Sequence, residues 1–81
     1  MQSTPLIPLA DLKSGESATI SALKAGRNIN ARVSTLGLTP GVIIRMTHNY
    51  GHGPIVVNVR DTRIALGRGE ARTILVTRAK E

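Results

Sequence analysis

The sequence contains no cysteine among its 81 residues. A disulfide framework, an iron–sulfur cluster and a thiolate zinc site are therefore excluded, because each of them requires cysteine sulfur. Nothing in this composition calls for an oxidising compartment, so we expect a cytoplasmic protein. No segment approaches the roughly 20 apolar residues that cross a bilayer, and the first residues lack the basic start of a signal peptide. We therefore expect a soluble protein that does not insert into a membrane.

Aromatic residues are almost absent, because the chain has neither Phe nor Trp and Tyr50 is its only aromatic residue. The core must therefore be built from Val, Ile, Leu and Met. Single-strand nucleic-acid binders on small barrels stack bases on several aromatic side chains, which this chain does not have. The shortage of aromatic residues therefore argues against nucleic-acid binding, and we expect no nucleic-acid partner.

Acidic residues are also scarce, with five Asp and Glu against eleven Lys and Arg and a formal net charge of +6. Such a surface attracts an acidic partner, which could be a nucleic acid, an anionic lipid or the acidic face of another protein. The charge alone does not choose among these partners.

Alternation of apolar and polar residues predicts five short strands, within residues 16–23, 42–47, 55–60, 63–66 and 72–78. In the second of them, Ile44 and Met46 share one face while Ile43 and Arg45 share the other. Apolar residues at positions 29, 33 and 36 predict one short helix, with Asn28 or Asn30 as its cap. Five strands are too few for a two-sheet sandwich, and closure would remove exposed edges. The sequence therefore predicts one mostly β domain over residues 1–81, with its core at about 8–76, folded as a small SH3-like barrel.

The uncharged stretch LGLTPG predicts a sharp corner at the centre of the chain. Gly37 can take the left-handed position that ends a helix, and Leu38 would then pack on Val33, the apolar contact that accompanies a Schellman motif. Pro40 and Gly41 suit the second and third positions of a type II turn. A second interpretation is an exposed corner that offers a rigid contact to a partner, because Pro40 restricts the chain before binding.

Three segments resemble, in order and spacing, the ferrous iron transport protein A (FeoA) family: STLGLTPGVIIRM, GPIVVNVRDTRIAL and GEARTILV. The resemblance extends from about Pro8 to Val76. The chain departs from the family pattern at Asp61, where Gly is common, and at Gly67 and Gly69. The resemblance implies an SH3-like fold and a cytosolic accessory role beside the membrane ferrous iron transporter, a protein with a cytoplasmic G-protein domain.

Neither catalytic nor metal-binding residues are predicted. The serines have no His and carboxylate at a recognisable triad spacing, and the glycines lack the Walker A and Rossmann contexts, so we expect no enzyme and no cofactor. His48 and His52 are four residues apart on a predicted loop that does not fix their spacing. Carboxylates are scattered along the chain, and a ferrous site usually combines them with imidazole. We therefore assign no metal ligands.

A protein interface has more support. Alternation places Ile43, Val56 and Leu75 on the face opposite the core, among outward arginines, which is the composition of a recognition patch with a charged rim. We predict an adaptor that binds and modulates the ferrous iron transporter, with open barrel edges that would also allow a homo-oligomer. The alternatives are a basic nucleic-acid binding module and a free-standing metal-responsive regulatory domain. The predicted partner-binding residues are Leu38, Thr39, Pro40, Ile43, Arg45, Val56, Arg60 and Leu75.

Overall fold

The computed structural model describes residues 5–24, 31 and 33–78. Six strands form one antiparallel sheet in the order β1-β6-β2-β3-β4-β5. A 3-10 helix, η1, follows β1, and a short α-helix, α1, connects β5 to β6. In chain order the elements are β1 (Ile7–Pro8), η1 (Leu9–Asp11), β2 (Ser17–Leu23), β3 (Ile43–His48), β4 (Ile55–Val59), β5 (Thr62–Leu66), α1 (Arg68–Arg72) and β6 (Ile74–Arg78).

The mostly β prediction is confirmed, with two additions. The sequence analysis predicted no strand or helix before residue 16, where the structure has β1 and η1, and none between residues 66 and 72, where it has α1. The short helix predicted after β2 lies partly outside the described residues, as do Ile29 and both predicted caps, Asn28 and Asn30. Of the described part of that segment, residues 31 and 33–35 are helical.

Aliphatic side chains form the core, as the shortage of aromatic residues required. In β3 and β4 the predicted alternation is confirmed, since Ile44 and Met46 are buried and Ile43 is 68% exposed. Strict alternation through the predicted strand 16–23 places Ala22 on the same face as Ile20, which is wrong, because a bulge after Ile20 pairs Ala22 with the outward Leu75. The fully buried larger side chains are Leu9, Leu12, Ile20, Val33, Leu38, Ile44, Met46, Ile55, Val57, Leu66, Ile74 and Val76.

The LGLTPG corner has the predicted backbone geometry. The amide of Leu38 donates to the Val33 carbonyl at 3.1 Å and that of Gly37 to the Ser34 carbonyl at 2.9 Å, which are the two hydrogen bonds of a Schellman motif. Gly37 has φ of +91°. The next turn is closed by the amide of Val42 donating to the Thr39 carbonyl at 3.1 Å. Its third residue, Gly41, has φ of +94°, as a type II turn requires.

Closure of the barrel is incomplete in the described part of the chain. The hydrogen-bonded ladder ends at β1 on one side and at β5 on the other. The helix α1 packs against η1 and β6, beside the first of these edges. The sheet therefore keeps one full-length edge, the five-residue β5.

Candidate functional site

A row of polar side chains crosses the outer face of the sheet. Ser17 lies opposite Arg45, Arg45 opposite Asn58, and Asn58 opposite Arg63, so the row runs over β2, β3, β4 and β5. Neighbouring strands are about 4.8 Å apart, which places the backbones of Arg45 and Arg63 about 10 Å apart. The sequence order of these two arginines gives no sign of this proximity.

The turn between β4 and β5 adds a third arginine at one end of this row. Arg60 and Asp61 are its central residues, with φ of +49° and +68°, which is the pattern of a type I′ turn. The predicted strands 55–60 and 63–66 left Asp61 and Thr62 for this turn, but Thr62 already pairs with Val59 as part of the ladder. Ile43 is two residues before Arg45 and Arg60 two residues after Asn58, so both lie toward the same end of the sheet.

We call the surface formed by Ile43, Arg45, Arg60 and Arg63 the arginine face. All four side chains are exposed. Among the described residues, no hydrogen bond or ion pair engages the three guanidinium groups. Their donors are therefore available to a ligand that supplies carboxylate or phosphate oxygens.

Only part of the predicted partner-binding set belongs to this surface. Ile43, Arg45 and Arg60 do, and the exposed Pro40 with the half-buried Thr39 lies in the turn that leads into β3. Leu38 is 0% exposed, so its predicted exposure is wrong. Its side chain fills the core because the Schellman geometry directs it there rather than outward.

The two remaining residues of the predicted set are placed elsewhere. Val56 is half-buried and lies opposite His48 and Ala65, toward the other end of β4. Leu75 is half-buried on β6, opposite Pro8 and Ala22. Strands β2 and β3 separate Leu75 from Val56. The eight residues therefore do not form one contiguous patch.

Asn49, in the loop between β3 and β4, makes a set of side-chain hydrogen bonds that the sequence analysis did not predict. Its Nδ2 donates to the carbonyls of Ala10 at 2.8 Å and Leu12 at 2.6 Å. Its Oδ1 accepts from the Gly51 amide at 3.1 Å and from Nη2 of Arg68 at 2.7 Å. All four hydrogen-bonding positions of the amide are therefore used.

The Asn49 contacts join three separate parts of the chain. Ser14 accepts the Asn49 backbone amide on its hydroxyl at 2.9 Å, and Arg68 donates from Nε to the Gly53 carbonyl at 3.1 Å. The segment after η1, the β3–β4 loop and the start of α1 are held together in this way. An Asn two residues before a Gly indicates a local turn. The sequence pattern does not indicate the distant residues that Asn49 contacts.

Glu16 and Arg78 form an ion pair between β6 and the residue that precedes β2. Nε of Arg78 lies 3.0 Å from Oε2 of Glu16, and the other carboxylate oxygen accepts the Lys13 backbone amide at 2.7 Å. The Lys13 hydrogen bond, aided by the positive charge of Arg78, lowers the pKa of Glu16 below its usual value. This arginine is thus a structural residue, unlike those of the arginine face.

The two histidines show no ligand-like arrangement within the described ranges. His48 places Nδ1 3.0 Å from the Thr47 carbonyl and stacks on Tyr50 with the ring centres 5.5 Å apart. His52 is exposed in the same loop. No group of three or more His, Asp or Glu in residues 5–24, 31 and 33–78 is placed to hold a metal ion. Over these same residues, no helix has the length and apolar character needed to cross a membrane.

The antiparallel sheet, the short helices η1 and α1 that pack against it and its basic outer face define a small SH3-like β module. A family model for the FeoA domain matches residues 7–78, and the chain belongs to this family. The mostly β, SH3-like fold and the link to ferrous iron transport are thereby established.

Individual relatives agree with this assignment. A candidate Fe(2+) transport protein A of Methanocaldococcus jannaschii is 31% identical over 75 residues, which cover 93% of this chain and 90% of that protein. The crystal structure of an iron uptake regulatory protein, FeoA, superposes with a TM-score of 0.87 at 28% identity, covering 93% of this chain and all of that one.

A third relative is the zinc-complexed FeoA of Stenotrophomonas maltophilia, described as a prokaryotic SH3-domain protein and a candidate activating factor of ferrous iron transport. It superposes with a TM-score of 0.75 at 32% identity, covering 84% of this chain and 86% of that one.

Proposed function

We propose that this protein is a cytosolic accessory factor that binds the membrane ferrous iron transporter on its cytoplasmic side, at the G-protein domain, and modulates it. The observation that carries the proposal is the arginine face of a chain that belongs to the FeoA family. Exposed guanidinium groups that are not used within the described residues can pair with carboxylates on a partner's surface.

The composition of the arginine face supports a protein partner. Ile43 is 68% exposed, next to Arg45 on the same face and opposite Thr19 on β2, and an apolar side chain with cations beside it is typical of a protein interface. Three unpaired arginines would steer the domain toward an acidic surface and pair with its carboxylates on contact. Arginine is also among the residues that contribute most to binding energy in such interfaces.

The accessible surface of the domain can be compared with the area that a protein interface requires. Its accessible surface is 5272 Å². An interface of standard size covers about 800 Å² on each partner, which would be about one seventh of this surface. The arginine face and the Pro40 turn beside it would form part of such an area.

A nucleic-acid partner is the rival that the same arginines would serve. Tyr50 is 72% exposed, but it stacks on His48 and stands alone as an aromatic platform. Base stacking on several aromatic side chains is the usual means of binding single strands on a small barrel. The composition therefore favours the protein partner.

Iron uptake in cells tests the proposal. A strain that lacks this protein should recover ferrous iron uptake when it is complemented with the unaltered protein or with Arg72→Glu, a charge reversal on the exposed end of α1. Complementation with the double variant Arg45→Glu, Arg63→Glu should fail, although the variant accumulates to the same level. Full uptake with the double variant would contradict the proposal.

A further inference from the structure

Strand β5 offers backbone hydrogen-bonding groups that no described residue uses. It is the last strand of the sheet, and its five residues pair with β4 without a register shift. In a two-residue hairpin the residues that flank the turn form a hydrogen-bonded pair. Along an antiparallel ladder, such pairs alternate with pairs that exchange no hydrogen bond. Thr62, Ile64 and Leu66 therefore bond to β4, while the amides and carbonyls of Arg63 and Ala65 point away from the sheet.

The other edge of the sheet is much less suited to pairing. Strand β1 has two residues, and Pro8 has no amide hydrogen. Strand β5 has no proline and no bulge, so the usual structural protections of a long edge are absent from it. The charge of Arg63 is the one remaining protection, and it repels a basic strand but attracts an acidic one.

The charged residues beside β5 indicate which kind of strand can pair with it. Arg63 and Ala65 are exposed, and Arg63 ends the row that begins at Ser17 and includes Arg45. Asp61, in the adjacent turn, is the only acidic residue among positions 42–66. Pairing of β5 with a second copy of the chain would bring together two arginine faces on molecules that each carry a net charge of +6. A strand with carboxylates on its outward face complements this edge.

We propose that the β5 edge receives an extended acidic segment of a protein partner, which adds as a seventh strand and places a carboxylate beside Arg63. The backbone of the segment bonds to Arg63 and Ala65, while Arg60, in the turn that begins β5, pairs with a further acidic side chain. Backbone pairing supplies affinity in this mode of recognition, and the side chains supply selectivity. The identity of the partner in this inference rests on the proposed function. The extended, acidic character of the bound segment is inferred from the backbone groups and charges of the β5 edge.

The probe is a synthetic ten-residue peptide of alternating Thr and Glu, titrated into the purified protein and followed by NMR. Binding should slow hydrogen exchange of the Arg63 and Ala65 amides by at least tenfold and leave buried amides unchanged. The same peptide with alternate backbone nitrogens methylated, so that one edge cannot donate, should bind at least tenfold more weakly. Equal binding of both peptides would overturn the strand addition, because electrostatic attraction alone would then explain it.

Two variants locate the contact. Ala65→Pro removes an outward amide at a position where an edge strand tolerates proline, and it should weaken peptide binding at least tenfold. Arg63→Glu leaves the backbone amides unchanged and should weaken peptide binding similarly. This variant can still test the proposal if the proline variant fails to fold. Arg72→Glu is the matched control and should bind as the unaltered protein does. Peptide affinity unchanged in Arg63→Glu would overturn the proposal, as would a dimer of the free protein that Ala65→Pro dissolves.

Binding to the cytoplasmic part of the transporter separates this inference from the proposed function. If the transporter binds the unaltered protein and the folded Arg63→Glu variant equally well, the β5 edge is not its site and the accessory function remains. If the transporter does not bind the unaltered protein while the peptide still protects Arg63 and Ala65, the accessory function fails and the acidic-strand site remains.

Discussion

Nη2 of Arg68 donates to Oδ1 of Asn49 across 2.7 Å, and this contact fixes the start of α1 to the loop between β3 and β4. The same amide reaches the carbonyls of Ala10 and Leu12 through Nδ2. One side chain thus connects three segments that are far apart in sequence. The connection stabilises the end of the sheet away from the arginine face, and it leaves that face free for a partner.

Replacement of Asn49 by Ala should destabilise the fold by about 2–4 kcal/mol, because each lost hydrogen bond contributes about 1 kcal/mol and the freed carbonyls are partly buried. Urea unfolding followed by circular dichroism measures this loss. The control is Asn58→Ala, on the outer face and half-buried, which should cost less than about 1 kcal/mol. Equal losses in the two variants would show that the Asn49 contacts have no special role.

Gly37→Ala should destabilise the protein by about 1–2 kcal/mol, since φ of +91° is unfavourable for any residue with a Cβ. Gly69→Ala is the matched control, because Gly69 lies in α1 without a positive φ and with no atom within 4 Å of an added Cβ. It should be neutral or stabilise by up to about 1 kcal/mol. Thermal unfolding of both variants provides the comparison, and a loss in Gly69→Ala as large as in Gly37→Ala would contradict the Schellman assignment.

Asp61→Gly should stabilise the protein by about 0.5–1 kcal/mol. Asp61 has φ of +68°, and glycine is the preferred second residue of a type I′ turn. Asp61→Val should instead destabilise it by about 1–2 kcal/mol, because a β-branched residue is strongly disfavoured at positive φ. Chemical denaturation at one salt concentration measures the change in unfolding free energy of each variant, and we expect opposite signs. Changes of the same sign would show that the positive φ of Asp61 is not their cause.

Glu16 should contribute to the pH dependence of stability. Its pKa is lowered in the folded state by the Lys13 amide and by Arg78, so its contribution is present at neutral pH. That contribution is lost as the pH falls from about 4.5, the ordinary value, through the lower folded value. Glu16→Gln should therefore show a smaller loss of Tm between pH 6 and pH 3 than the unaltered protein does. Asp11→Asn, at an exposed site, is the control, and identical profiles for Glu16→Gln and the unaltered protein would contradict the assignment.

Local patterns in the sequence were sufficient for five of the six strands of the sheet and for the LGLTPG corner, but not for the two-residue β1. Alternation separated Ile44 from Ile43, and the Gly37 and Gly41 spacing matched two specific turns, because both features depend on neighbouring residues. The bulge that turns Ala22 outward and the long-range partners of Asn49 depend on pairing across the sheet, which no local pattern records. Leu38 illustrates the difference, since the same six residues suggested both a buried contact and an exposed corner.

Direct titration of the purified protein against the cytoplasmic G-protein domain of the transporter, at low and at moderate salt, tests the central claim most directly. We predict saturable binding that weakens as salt increases, is reduced at least tenfold in the double variant Arg45→Glu, Arg63→Glu, and is unchanged in Arg72→Glu. No binding by the unaltered protein at either salt concentration, or equal binding by the double variant, would contradict the account.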